Sequence, residues 1–129
     1  MFGSQNKKSI TAFVDFDPAA DDVIPVFIAP AACELEGAKV IVTNAVNGST
    51  ANYFDLALLN GGSAGTATTQ IGGTIGGTAG WTALLPVAFT ISDGTLAAGD
   101  VVTVKYNEEG TGTFASMLVQ LDFVLGETD

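Results

Sequence analysis

From Ile10 the chain alternates, with Ile10, Ala12, Val14 and Phe16 on one side and Thr11, Phe13 and Asp15 on the other. Period two of this kind predicts a strand with one buried face. Residues 1–9 ahead of it are polar, hold Lys7 and Lys8, and read as a flexible N-terminal arm. Asp17 to Asp22 breaks the strand. Val23–Ala32 is apolar and β-branched but contains Pro25 and Pro30. Proline donates nothing to a ladder, so this piece is expected at a sheet edge. Ala38–Val46 is a further strand, and Asn47-Gly48 after it is a strong hairpin signal, returning into Thr50–Leu59 with Phe54, Leu56 and Leu58 on one face.

Asn60–Gly80 is a long Gly/Thr-rich segment with a short internal echo, Ile71-Gly72-Gly73-Thr74 and Ile75-Gly76-Gly77-Thr78. Two copies of four residues make no solenoid, so a projecting loop or weak edge ribbon is expected. Alternation resumes in Leu84–Ile91, with Leu85, Val87, Phe89 and Ile91 inward. It recurs in Asp100–Tyr106 and in Phe114–Leu125, where Met117, Val119, Leu121, Phe123 and Leu125 share a face. Asn107–Gly112 reads as a polar turn. No segment repeats apolar residues at helical spacing. Short alternating strands between turn signals predict an all-β, single-domain β-sandwich, jelly-roll-like, spanning residues 10–129 behind the arm.

Composition narrows what this domain does. The chain has 129 residues, the usual size of one domain. Fourteen acids face four lysines, with neither arginine nor histidine, for a net charge of −10. Nucleic acid is excluded as a partner because phosphate binding needs cations, and anionic membranes are disfavoured for the same reason. Charged residues make up only 14% of the chain, about half the usual share, which favours a surface partly buried in an assembly. Cys33 is the lone cysteine and reads as a small buried hydrophobe. The polar N-terminus offers no signal-peptide core and no stretch is long enough to span a bilayer, so synthesis in a cytoplasm is expected.

Candidate chemistry is thin. Without histidine there is no imidazole base, and without arginine no bidentate anion clamp. Glu34/Glu36 and Glu108/Glu109 are the nearest carboxylate pairs for glycoside hydrolysis, yet each falls in a turn by pattern. Asp15, Asp17, Asp21 and Asp22 offer hard oxygens for calcium, but not at the spacing of a calcium loop. Gly110-Thr111-Gly112-Thr113-Phe114-Ala115 has the letters of a dinucleotide fingerprint without the following helix. Asn47-Gly48-Ser49 is formally a glycosylation acceptor that the hairpin already explains. Trp81, with Tyr53 and Tyr106, is the aromatic set available as a sugar platform or subunit anchor, although a lone tryptophan beside a loop is more often a core or rim residue. No catalytic residue, cofactor or metal site is assigned, and the chain is expected not to be an enzyme.

The order Ala51-Asn52-Tyr53-Phe54-Asp55-Leu56-Ala57-Leu58-Leu59-Asn60-Gly61-Gly62, a Gly/Thr ribbon, Pro86–Ile91, Thr95–Val102 and Glu109–Gly112 resembles the small decoration, or cement, proteins of tailed-bacteriophage heads. That resemblance spans about residues 38–125. It implies a structural virion protein on the capsid exterior, bound to the major capsid protein, commonly as homotrimers, made in the bacterial cytoplasm and reinforcing the shell. Lys7, Lys8 and Trp81 are the expected interface residues, the two lysines meeting acidic groups on a neighbour. The alternative is a carbohydrate-binding or adhesive β-sandwich of a fibre, using Trp81 and the tyrosines.

Overall fold

The computed structural model describes residues 6–15 and 21–126. Its strands are β1 (Lys7–Val14), β2 (Asp22–Ile28), β3 (Cys33–Val42), β4 (Tyr53–Asn60), β5 (Thr69–Gly76), β6 (Val87–Ala88), β7 (Thr95–Leu96), β8 (Val101–Glu109) and β9 (Met117–Leu125). There is no α-helix among the described residues. One sheet runs β1-β9-β3-β6, with β7 on the far end of β3; the other runs β2-β8-β4-β5. Every pairing is antiparallel, and the two sheets pack together as a single β-sandwich. Pairing is nested, the first strand with the last and the second with the next to last, which is the winding of a jelly roll.

The alternation read from the sequence lies between the sheets. Val40 and Val42 of β3, Phe54, Leu56 and Leu58 of β4, Val102, Val104 and Tyr106 of β8, and Met117, Val119 and Leu121 of β9 are all fully buried. Each such aliphatic side chain contributes about 1.5–3 kcal/mol on leaving water. Pro25 sits in β2, and β2 is an edge strand as expected.

Several boundaries differ from the pattern. β1 begins at Lys7, not Ile10, because the ladder needs backbone groups rather than apolar side chains; Lys7 and Lys8 pair in register with Val124 and Phe123. The arm expected over residues 1–9 therefore cannot extend through Lys7–Ser9, and residues 1–5 lie outside the described residues. Asn47-Gly48 closes no hairpin. β3 and β4 belong to opposite sheets, and the segment between them crosses over, pairing Val46 with Trp81. The Gly/Thr-rich segment is not one long loop: Thr69–Gly76 is the ribbon-like edge strand β5 on β4, with register shifts around Leu58. Leu84–Ile91 keeps only two residues of ladder, and Leu84 and Leu85 face solvent at 66% and 53% exposure. Asn107–Glu109 continues β8 instead of turning.

The two open sides of the sandwich are treated differently. On one, the chain from Val87 to Leu96 stitches the sheets together. Val87–Ala88 and Thr95–Leu96 pair with β3, while Gly73 donates to the Thr90 carbonyl and Ser92 to the Ile71 carbonyl. On the other, β1 and β2 are the outermost strands of their sheets and do not pair with each other.

Candidate functional site

The residues singled out for chemistry scatter. Trp81 is not a surface anchor: it is 5% exposed, its ring stacks on Phe54 with centroids 5.0 Å apart, and its Nε1 donates to the Phe54 carbonyl at 3.2 Å. A Cβ on Gly76 would stand 2.3 Å from that ring, so β5 reaches Trp81 only as glycine. Tyr106 is buried beside Phe54 and Phe114, its hydroxyl donating to Glu108 at 2.6 Å. These rings form the core at one end of the sandwich and present no platform to a sugar. Tyr53 is half-buried at the start of β4.

The carboxylate pairs do not lie in turns. Glu34 is on β3 and Glu108 and Glu109 on β8, in opposite sheets, with Glu34 accepting from the Thr95 hydroxyl at 3.2 Å. Glu36, at the β-bulge of β3, lies 3.6 Å from the Lys7 ammonium. Asp15 is exposed at the end of β1, Asp21 and Asp22 open β2, and Asp17 lies outside the described residues. The Gly110–Thr113 loop is glycine-rich for packing: a Cβ at Gly110 would meet the Asn52 Oδ1 at 2.2 Å, and one at Gly112 the Tyr53 backbone at 2.4 Å. The Asn52 carboxamide oxygen accepts from both Thr111 N (3.0 Å) and Thr111 Oγ1 (3.2 Å), clasping that loop to β4. Cys33 is buried, and burial, reinforced by Glu34 and Asp100, pushes its thiol pKa upward. Such a thiol is protonated and unreactive near neutrality.

What the fold does gather is a graded outer face on the β1-β9-β3 sheet. Strand register places Phe13, Leu118 and Ile41 side by side, and Ile41, Leu118 and Pro86 line one shallow recess of about 190 Å³ with Lys39 and Gln120. Phe13 is 60% exposed. Leu84 and Leu85 stand at the same end, where the Leu84 amide donates to the Val42 carbonyl at the terminus of β3. Leu84 holds a left-handed φ of 64°, which is costly for a residue with a side chain. The other end of this face is polar: Ser9 and Gln120 both donate to Asp122, and Lys7 pairs with Glu36. Lys7 thus belongs to the rim of this face, while Lys8, the next residue of β1, alternates to the other side of the sheet. Sequence reasoning missed its apolar end because it placed Leu85 inward; the Leu-Leu-Pro run at 84–86, unable to continue a ladder through Pro86, was the available signal.

No protein-family model and no curated protein sequence matches the chain. Among solved structures it is similar to a chain of the cyanophage Pam1 capsid asymmetric unit, with a TM-score of 0.57 at 13% sequence identity, over 96% of this chain and 89% of that one. The likeness is therefore one of whole-chain fold between two polypeptides of similar size.

Proposed function

We propose that this chain is a structural virion protein that binds the major capsid protein on the outside of a phage shell and reinforces it. The observation that carries the reading is the end-to-end fold likeness to a chain of a cyanophage capsid. Charge and surface support it. A chain of net charge −10 has almost no cations for nucleic acid, whereas the outer face around Phe13, Ile41, Leu84, Pro86 and Leu118 is apolar and bordered by Lys39. Contacts of this kind resist salt, as a load-sharing attachment must. Synthesis in the bacterial cytoplasm and location on the capsid exterior belong to the same proposal. So does self-association, for which the resemblance implied a trimer.

The test is to add purified chain to undecorated shells of the cognate phage, then measure occupancy by sedimentation and the temperature at which shells release DNA. Saturable binding with a raised release temperature is expected. Binding without any gain in shell stability removes the reinforcing role, and absence of binding removes the proposal.

A further inference from the structure

The two outer strands at the unsealed side of the sandwich are not equivalent. β2 contains Pro25 and shifts register between Pro25 and Phe27, which makes it a poor template for another strand. β1 runs eight residues in unbroken register with β9, holds no proline, and has no charge from Ser9 to Val14. Among the described residues no strand pairs with its free side. Unpaired N–H and C=O groups along such an edge recruit a further strand unless the edge is blunted.

The charges at its ends decide which strand. Lys7 and Lys8 open β1 and the exposed Asp15 follows its last residue. Lysines on an edge oppose pairing when a like charge comes opposite. In an antiparallel pair of identical strands centred on Thr11, Lys7 meets Asp15 instead, and Lys8 meets the uncharged Val14. We propose that β1 pairs antiparallel with β1 of a second copy of this chain, about a two-fold axis at Thr11, joining the two copies' sheets into one.

The register follows from face and charge together. With Thr11 opposite Thr11, Lys7 falls opposite Asp15 of the second copy, twice over, and Ser9 falls opposite Phe13. All are exposed, and Thr11 and Phe13 continue the outer face described above. Threonine opposite threonine is itself a favourable cross-strand pair. Ile10 falls opposite Ala12 on the inward face. A one-residue slip sets outward side chains against inward ones; moving the axis to Ile10 replaces the Lys7–Asp15 pair by Lys7–Phe13. Lys7 is also paired with Glu36 at 3.6 Å, but that pair is exposed, at 63% and 46%, and an exposed pair holds a lysine only weakly against a second carboxylate.

The inner side of the same edge gains as well. Ile10 and Phe123 from one sheet and Pro25, Phe27 and Ile28 from the other line an apolar groove of about 560 Å³, where Ile28 is 66% exposed. The two-fold sets the grooves of both copies side by side and removes them from water. An isologous contact closes at two copies, so the oligomer is a dimer in place of the trimer that the resemblance implied.

Sedimentation velocity of the purified chain, without shells, tests this separately from the capsid reading. A dimer is expected in the micromolar range. Lys7→Asp and Asp15→Lys should each weaken it about tenfold, and an equimolar mixture of the two variants should recover it, because opposite charges again face across the axis. Thr11→Cys should give an intermolecular disulfide on oxidation, since facing positions of paired strands lie within disulfide reach. Thr69→Cys on the other edge should not. A monomer at every concentration, a trimer, or a dimer indifferent to both charge reversals and uncrosslinked through Thr11→Cys overturns the proposal; circular dichroism of each variant guards against misfolding.

Discussion

Trp81 illustrates how a residue's role is set by partners distant in sequence. Its stacking ring and its hydrogen-bond acceptor both belong to Phe54, 27 positions earlier, so the sequence suggested a core or rim tryptophan by type alone and could not name the partner that holds it there. Replacing Trp81 by Ala empties a buried site and should cost about 3–5 kcal/mol, measured as a fall in the urea midpoint at unchanged slope. A loss below about 1 kcal/mol marks a site that collapses freely and gives the ring no central part. Cys33 was legible, by contrast, because an apolar run around a lone cysteine already places it in a core. Its folded pKa is raised, first by burial and then by Glu34 and Asp100. The sign follows: below the unfolded thiol's pKa both states are protonated and nothing is lost. Above it the unfolded chain ionises first, so stability should fall as pH climbs through the alkaline range toward the folded value. Cys33→Ala should flatten that part of a stability-against-pH curve, and an unaltered slope contradicts the assignment.

Among the elements, β3, β4, β8 and β9 were readable because a strand buried on one face writes its period into the sequence. The segments that failed are those whose structure depends on a partner. Asn47-Gly48 has hairpin chemistry, yet β3 is committed to β9 across its whole length, so the next strand joins the other sheet. β5 was legible only as a loop or weak edge ribbon, the second of which it is, because glycine carries no periodic signal, although its glycines have distinct tasks. A Cβ at Gly72 would stand 2.9 Å from Leu58 Cβ and 3.2 Å from Phe89 Cβ, whereas at Gly73 it would meet nothing within 4 Å. Gly72→Ala should therefore destabilise by about 1–3 kcal/mol and speed hydrogen exchange at the Gly73 and Ser92 amides that hold the sealing segment. Gly73→Ala should instead be neutral or stabilise by up to about 1 kcal/mol, since it only restrains the unfolded chain. Equal effects at the two positions would remove the claim that Gly72 is required for close approach.

At the scale of the molecule, the sequence conveyed a charge balance poor in cations, with four lysines and neither histidine nor arginine, but not where its exposed apolar face lies. That face brings Phe13, Ile41 and Leu118 of three strands together with Pro86, while the exposed Leu84 is tied by its amide to the end of β3, and only the topology makes them neighbours. Leu84 offers a way to separate attachment from folding. Its backbone is left-handed, at a cost of about 1–2 kcal/mol for a residue with a side chain, while its side chain is 66% exposed and recovers little by burial. A residue that costs the isolated fold and gains it little is explained if its apolar side chain is used in the assembled particle. Leu84→Gly relieves the backbone, and against that stands about 0.5–1 kcal/mol of extra unfolded-state entropy. Thermal stability of the variant should thus be unchanged or slightly raised. Occupancy on shells should nevertheless fall, and Leu84→Asp should lower it further, since a charge would then have to leave water at the contact. Occupancy that matches the wild type for both variants, on folded protein, would show that this turn plays no part in docking and move the attachment surface elsewhere on the sandwich.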